Sequence, residues 1–415
     1  LKIGIIGAGL GGLLVGVSLL KRGHEVEIFE RLPYPGGRFT NIEYKGYQLS
    51  TGALHMIPHG KRGPLAKMLD SLGLDVEIVQ SNPEGYFRVN GEDYLFSELK
   101  DLLPFTDKIR ATFILTLLKY GRGGDESYRS WLENKIKNPL IFQVADSFCG
   151  WSLSLNSNEI SSREVISITK NIYRFGGPGI PVGGCKGVSG ALAEEFENMG
   201  GRIHYRTKVE RILVEGQKVE GITAGDDYRF DVVVSDIGPK ATVKLCGREN
   251  FSSGYLKIID GVRSVGGIKI SIACDKPMLG HTGVLFTPQA RRIDGLNEVT
   301  NADPSLAPEG KHLLMSHQAL NPQSNVKSEI QLAKKDLKEL FPDFDKHCKV
   351  LTVQVYRGEW PVNRVASGTY VDPVSPIEGL YYVGDAIKPR GWMETEGVAA
   401  GVEIVLDAIA EHESF

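Results

Sequence analysis

The chain has 415 residues, of which 41% are hydrophobic and 24% charged, with a formal net charge of −3. That length and balance fit two folded domains with sizeable cores and exclude a disordered chain, while the slightly acidic total gives no overall pull toward nucleic acid. No stretch of about 18 apolar residues is present, which excludes a conventional spanning helix, and no basic-apolar-cleavage pattern opens the chain, so a signal peptide is not expected.

Lys2-Ile3-Gly4-Ile5-Ile6 reads as a strand that runs into Gly7-Ala8-Gly9-Leu10-Gly11-Gly12 and an apolar helix over about 10–22. Each glycine has a separate steric task. Gly7 turns the chain off the strand, Gly9 clears a side chain where a pyrophosphate must approach, and Gly12 lets helix and strand pack closely. The helix N-terminus offers free amides and a positive dipole end to phosphates. Glu25-Val26-Glu27-Ile28-Phe29 alternates as the next strand, and Glu30 stands about 20 residues on, where a carboxylate accepts from a ribose diol and disfavours a 2′-phosphate. The stretch is a seat for an adenine dinucleotide.

Pro35-Gly36-Gly37-Arg38 follows as a loop with exposed backbone and an arginine able to reach a phosphate or ribose. Small residues recur at Thr51, Gly52 and Ala53. His55 and His59 stand four apart and would share a face if helical, but no third ligand is near, so no metal site is expected. From about residue 65 to 173 the pattern turns to helices with one strand pair about Asn90-Gly91, a hairpin signal. Within it, 108–120 carries Ile109, Phe113, Ile114, Leu117 and Leu118 beside Lys108, Arg110 and Lys119. Such a stripe fits a membrane surface, although core packing with snorkelling cations is the commoner arrangement.

Gly183-Gly184 opens another helix that ends at Gly200-Gly201, and Phe230 to Asp236 reads as a buried strand. Near the end, Tyr381-Tyr382-Val383-Gly384-Asp385 is again strand-like and leads to a helix over 398–409, a second N-terminus aimed at a ligand. Cys149, Cys185, Cys246, Cys274 and Cys348 lie far apart with no CxxC. They are expected as buried or free thiols in a reducing compartment, and the protein as cytoplasmic, with peripheral membrane contact left open.

Ile5-Ile6-Gly7-Ala8-Gly9-Leu10-Gly11-Gly12-Leu13, Phe29-Glu30-Arg31 and Pro35-Gly36-Gly37-Arg38 resemble the opening of the phytoene dehydrogenase and flavin amine oxidase superfamily. Thr207-Lys208-Val209-Glu210-Arg211-Ile212 resembles the segment by which such chains return to the flavin domain, and Tyr382-Val383-Gly384-Asp385 its last strand. The resemblance implies an α/β fold: a Rossmann-like FAD-binding domain (1–64, 176–250 and 357–415) with a discontinuous α+β substrate-binding domain (65–175 and 251–356). It implies FAD, held by Gly7, Gly9, Leu10, Gly11, Gly12, Glu30, Arg31, Gly36, Gly37 and Arg38. Thr51, Gly52, Ala53 and Leu54 would complete the cradle. Val209 would meet the adenine, Asp385 the ribityl and pyrophosphate region, and the Met393 and Glu394 amides the flavin carbonyl.

Ile268-Lys269-Ile270 with Lys276-Pro277 resembles the strand on which flavin amine oxidases carry a lysine that holds a water beside the flavin, so Lys269 is the candidate catalytic residue, against a solvent-facing edge lysine. Trp360 and Trp392 are expected to wall flavin and substrate, although tryptophans are more often simply core. No second strand-GxGxxG-helix unit is present, so electrons are expected to leave through oxygen, a quinone or a protein. The expected activity is hydride transfer between an apolar, isoprenoid-like substrate and flavin. An amine oxidase, a protoporphyrinogen oxidase-like enzyme and a redox-inactive prenyl-binding dissociation inhibitor are the alternatives.

Overall fold

The computed structural model describes residues 1–413. Five parallel strands form the first sheet, in the order Leu380–Tyr382, Val232–Ser235, Lys2–Ile6, Glu25–Phe29 and Arg202–His204. Ile3, Ile5, Val232 and Val234 are fully buried, as side chains must be in a parallel sheet covered on both faces. The helix Leu10–Lys21 packs between the helices Gly184–Asn198 and Glu394–Glu413, so ten of its residues, Leu10 through Leu19, are buried. It stops where Gly23 turns into the left-handed region at φ 87°.

The second sheet has seven strands in the order Cys348–Tyr356, Gly266–Cys274, His312–Leu320, Gly295–Glu298, Val284–Phe286, Gly85–Val89 and Glu92–Leu95. The last two are joined by Asn90-Gly91, both at positive φ, as a two-residue hairpin requires. Strands from both halves of the chain therefore interleave, since the polypeptide leaves the parallel sheet after Glu25–Phe29 and again after Val232–Ser235.

Alternation on the long central strand Gly266–Cys274 divides two environments. Ile268, Ile270 and Ile272 enter an apolar cluster with Leu314 and Leu337, whereas Lys269 and Ser271 point to the opposite face. Lys269 pairs across the backbone with His317 on one side and Gln354 on the other, so it sits on an interior strand and is neither edge-located nor in solvent.

Three features differ from what the sequence led one to expect. Cys274 and Cys348 end neighbouring antiparallel strands as register partners and are joined in a disulfide, leaving Cys149, Cys185 and Cys246 as buried thiols. Their wide separation in sequence concealed a proximity that only strand pairing creates. His55 and His59 share no helical face: both lie on irregular backbone, where His55 Nε2 bonds Asn41 Oδ1 and His59 Nδ1 bonds the Gly176 carbonyl. The C-terminal helix starts at Glu394, four residues before the expected 398.

Candidate cofactor site

A cavity of about 860 Å³ runs from the first glycine turn to the start of the C-terminal helix. At one end, Gly7, Gly9, Leu10 and Gly11 face it from the strand-to-helix turn, with Glu30, Arg31 and Val209 beside them. The Glu30 carboxylate is buried and accepts from the Ala8 and Leu32 amides, each at 2.8 Å, which fixes it in place at the cavity wall. Further along come Gly37, Arg38, Gly52, Ala53 and Leu54, then Trp360, Gly384, Asp385 and Glu394.

Gly12, Gly36, Thr51, Met393, Lys269 and Trp392 do not line this cavity. Gly12 acts behind it: a Cβ there would lie 2.1 Å from the Gly7 carbonyl oxygen. Gly36 donates its amide to Ala8 O at 2.7 Å and so fastens the second glycine turn to the first. Thr51 ties the 51–54 segment to the second turn, its hydroxyl donating to Gly37 O at 2.9 Å. Trp392 packs edge-on against His59 and at a tilt against Phe175, the core role and not the wall.

The glycine turns make a cradle with no spare room. A Cβ on Gly11 would stand 2.7 Å from Gly384 N, and one on Gly9 2.2 Å from an Asp236 oxygen. The open space they leave faces the N-terminus of Leu10–Lys21, the arrangement that receives a pyrophosphate. At the far end Thr395 presents a buried hydroxyl without a partner at the start of the C-terminal helix, where a polar ligand edge would satisfy it. Glycine backbone, helix amides, a ribose-competent carboxylate and this hydroxyl together fit FAD.

Between the ends lies a charge cluster. Arg38 Nη2 reaches Asp385 Oδ1 at 2.6 Å, and its Nη1 donates to the Pro361 and Val362 carbonyls at 2.9 and 2.7 Å. Arg364 meets the same Asp385 oxygen at 3.0 Å. Burial alone would raise the Asp385 pKa, but the two guanidiniums outweigh it and hold the carboxyl well below the usual range. Arg38 is thus committed to Asp385 and to the 361–362 segment rather than standing free for a phosphate.

Asp236, in contrast, is pushed up to about 7 by burial, with Arg364 and the Gly12 amide opposing. Its Oδ2 accepts from Gly12 N at 3.1 Å, and the carboxylate fills the crook between Gly9, Gly11 and Gly384. Asp236 and Arg364 were missed in the sequence. The strand Val232–Ser235 running into Asp236, followed by Gly238-Pro239 and the helix Pro239–Cys246, was the available signal for the first. Arg364 carried none.

Lys269 lies behind the 50–52 segment. Its ammonium donates to Ser50 O at 2.6 Å, Ser50 Oγ at 2.7 Å and Gly52 O at 2.6 Å, so all three N–H groups are taken by protein. Tyr356 Oη also donates to Gly52 O at 2.6 Å, Trp360 Nε1 to Thr51 O at 3.2 Å, and Gln354 Nε2 to Ser50 O at 3.3 Å. The seven-stranded sheet and the segment after it thereby grip a loop that lines the cavity. Burial pulls the Lys269 pKa down to about 7, and its proximity adds to the burial that takes His55 and His317 to about 3.

The sequence profile of flavin-containing amine oxidoreductases matches residues 10–397. A protein of unassigned function from Methanocaldococcus jannaschii is 46% identical over 410 residues, spanning 99% of each chain. The crystal structure of an oxidoreductase from Methanosarcina mazei superposes with a TM-score of 0.94 at 46% identity, covering 98% of this chain and 100% of that one. More distantly, a lycopene-forming phytoene desaturase from Pantoea ananas is 23% identical over 370 residues, 74% of this chain and 73% of the desaturase. The chain belongs to the flavin-containing amine oxidoreductase family and is an FAD-dependent oxidoreductase.

Proposed function

We propose that the enzyme takes a hydride from a C–H bond of an apolar, isoprenoid-like substrate. The observation that carries this reading is the character of the cavity wall beyond the glycine turns: Ala53, Leu54, Met56, Trp360, Pro361 and Val362 present mostly apolar surface there. The likeness to carotenoid desaturases supports it at the level of substrate class. FAD supplies the hydride acceptor when bound.

The protein's own residues would then act by position. A C–H bond must be held about 3 to 3.5 Å from the acceptor, which demands a wall that does not move. The Ser50–Gly52 backbone, fastened by Lys269, Tyr356, Trp360 and Gln354, is suited to that task. Lys269 enters this account as a positioning residue. Glu30 would bind the ribose, Val209 would pack on the adenine, and Asp385, kept ionised between Arg38 and Arg364, would accept from hydroxyls.

A second reading has its own observation. On the sheet face that bears Lys269, Ser271 Oγ, Asn297 Oδ1 and Nδ2, His317 Nδ1 and Gln354 Oε1 are buried without hydrogen-bond partners; they lie outside the cavity wall and would suit an amine or a porphyrinogen if the substrate space extended behind the 50–52 loop. Anaerobic mixing of the FAD-loaded enzyme with polyprenyl, amine and porphyrinogen compounds separates the two. Bleaching of the flavin band by a polyprenyl compound alone is the expected result. Bleaching by amines or porphyrinogens, with polyprenyl compounds inert, would transfer the proposal to the second reading.

Asp236 gives a pH prediction. Below about 7 its carboxyl is protonated in the apoprotein; above that it ionises beside the turn that would receive the FAD pyrophosphate, close to Asp385 and opposed by Arg38 and Arg364. FAD affinity is therefore expected to fall as pH rises through 7, by up to about tenfold per unit, since the complex must then take up a proton. Fluorescence titration of FAD from pH 6 to 9 measures this, and Asp236→Asn should flatten the profile. Equal slopes in both proteins would remove Asp236 from the argument.

A further inference from the structure

The helix Phe105–Tyr120 has two apolar faces, and only one is used by the fold. Ala111, Ile114 and Leu118 are buried, Ile114 and Leu118 in a cluster shared with Val165, Ile166 and Met393. The opposite stripe leaves Phe105 77%, Ile109 58%, Phe113 57% and Tyr120 70% exposed, and Tyr173 on the adjoining helix Ser162–Phe175 is 48% exposed. Large apolar side chains concentrated this way on one helix face mark an interaction surface.

The geometry points to an anionic lipid surface as the occupant. Residues 105–122 hold Lys108, Arg110, Lys119 and Arg122 against Asp107 alone. Lys108 is tied to Asp101 and Arg110 to Asp107, but Lys119 sits 5.2 Å above the Tyr120 ring and 5.3 Å above the Tyr173 ring, at the rim of the patch. Arg122 and Arg174 are exposed nearby. Tyrosines and cations at the edge, with Phe and Ile at the centre, is the order in which a helix lying in a bilayer interface meets headgroups and acyl chains.

The patch is too small for a second copy of the chain. Sixteen residues of helix span about 24 Å, and at a width of about 10 Å they cover about 240 Å², against about 800 Å² that each partner of a specific interface buries. No helix among the described residues is long and apolar enough to cross a membrane, so the contact would be one of lying on the surface.

The experiment is sedimentation of the FAD-loaded enzyme with vesicles of phosphatidylcholine alone or with 30% phosphatidylglycerol. Wild type is expected to pellet with the anionic vesicles. Combined Phe105→Ser, Ile109→Ser and Phe113→Ser, all at exposed positions, should lower the bound fraction about tenfold with thermal midpoint and flavin content unchanged. Lys119→Glu with Arg122→Glu should weaken binding to the anionic vesicles alone, and it keeps the test open if the triple variant folds poorly. Equal recovery of wild type with and without vesicles would overturn the proposal. So would a concentration-dependent dimer that the triple variant abolishes while vesicles are ignored, which would give the stripe to a second copy.

Discussion

Lys269→Met is expected to lower the free energy of unfolding by about 2–4 kcal/mol, because it leaves Ser50 O, Ser50 Oγ and Gly52 O buried with fewer or no donors. Methionine matches the lysine stem in length, so packing is largely kept and the lost hydrogen bonds dominate. Tyr356 and Gln354 still reach Gly52 O and Ser50 O, which keeps the cost below that of three fully abandoned acceptors. Urea denaturation followed by tryptophan fluorescence measures it. A second signature is the pH dependence: burial has moved the lysine from its ordinary 10.5 to about 7, so the unfolded chain binds the extra proton between those values. Wild-type stability therefore gains a rising component as pH goes from 7 toward 10.5, and the variant lacks it. Identical midpoints and identical slopes would show that the three hydrogen bonds do not brace the loop.

Gly11→Ala is expected to weaken FAD binding by about 10- to 100-fold, the cost of overpacking a tight site. The backbone at Gly11 is ordinary helix, so alanine is conformationally acceptable; the objection comes from across the site. Its Cβ would meet Gly384 N at 2.7 Å and Gly384 Cα at 2.8 Å, both backbone atoms of the last strand's turn, and Asp236 Oδ1 at 3.0 Å. Either the two glycine turns separate or the helix tilts, and each spoils the pyrophosphate seat. Gly190→Ala is the control, since a Cβ there meets nothing within 4 Å and should leave FAD affinity unchanged. Equilibrium titration of apoprotein with FAD compares the two. If Gly11→Ala binds as wild type does, the close approach of the two turns is not what shapes the site.

Both effects trace to contacts between residues far apart in the chain, which explains what the sequence reveals and what it hides. The turn Gly7-Ala8-Gly9-Leu10-Gly11-Gly12 is legible because strand, turn and helix are consecutive and each glycine serves a local steric need. Asn90-Gly91 is legible for the same reason, its positive φ values being a property of two neighbours. Lys269 is visible as a lysine in an apolar strand, but its partners at 50 and 52 are not, because loop-to-sheet docking has no periodic signature. Arg364 and the Cys274–Cys348 bond were hidden likewise, and Trp392 follows the core alternative because an aromatic near a cofactor motif packs on Phe175 as readily as on a ligand. The helix Phe105–Tyr120 was half legible: core packing and a membrane surface were posed as alternatives, and the helix packs one face into the core while leaving large apolar side chains exposed on the other.

Two distant segments, the first glycine turn and Gly384-Asp385, line one cavity and would close on a single FAD. Titration of the flavin-free protein with FAD, read by flavin fluorescence and by the absorbance of the isolated complex, tests it directly. One equivalent of FAD per chain and a yellow complex that releases intact FAD on denaturation are the expected result. A protein that stays colourless and takes up no FAD would contradict it.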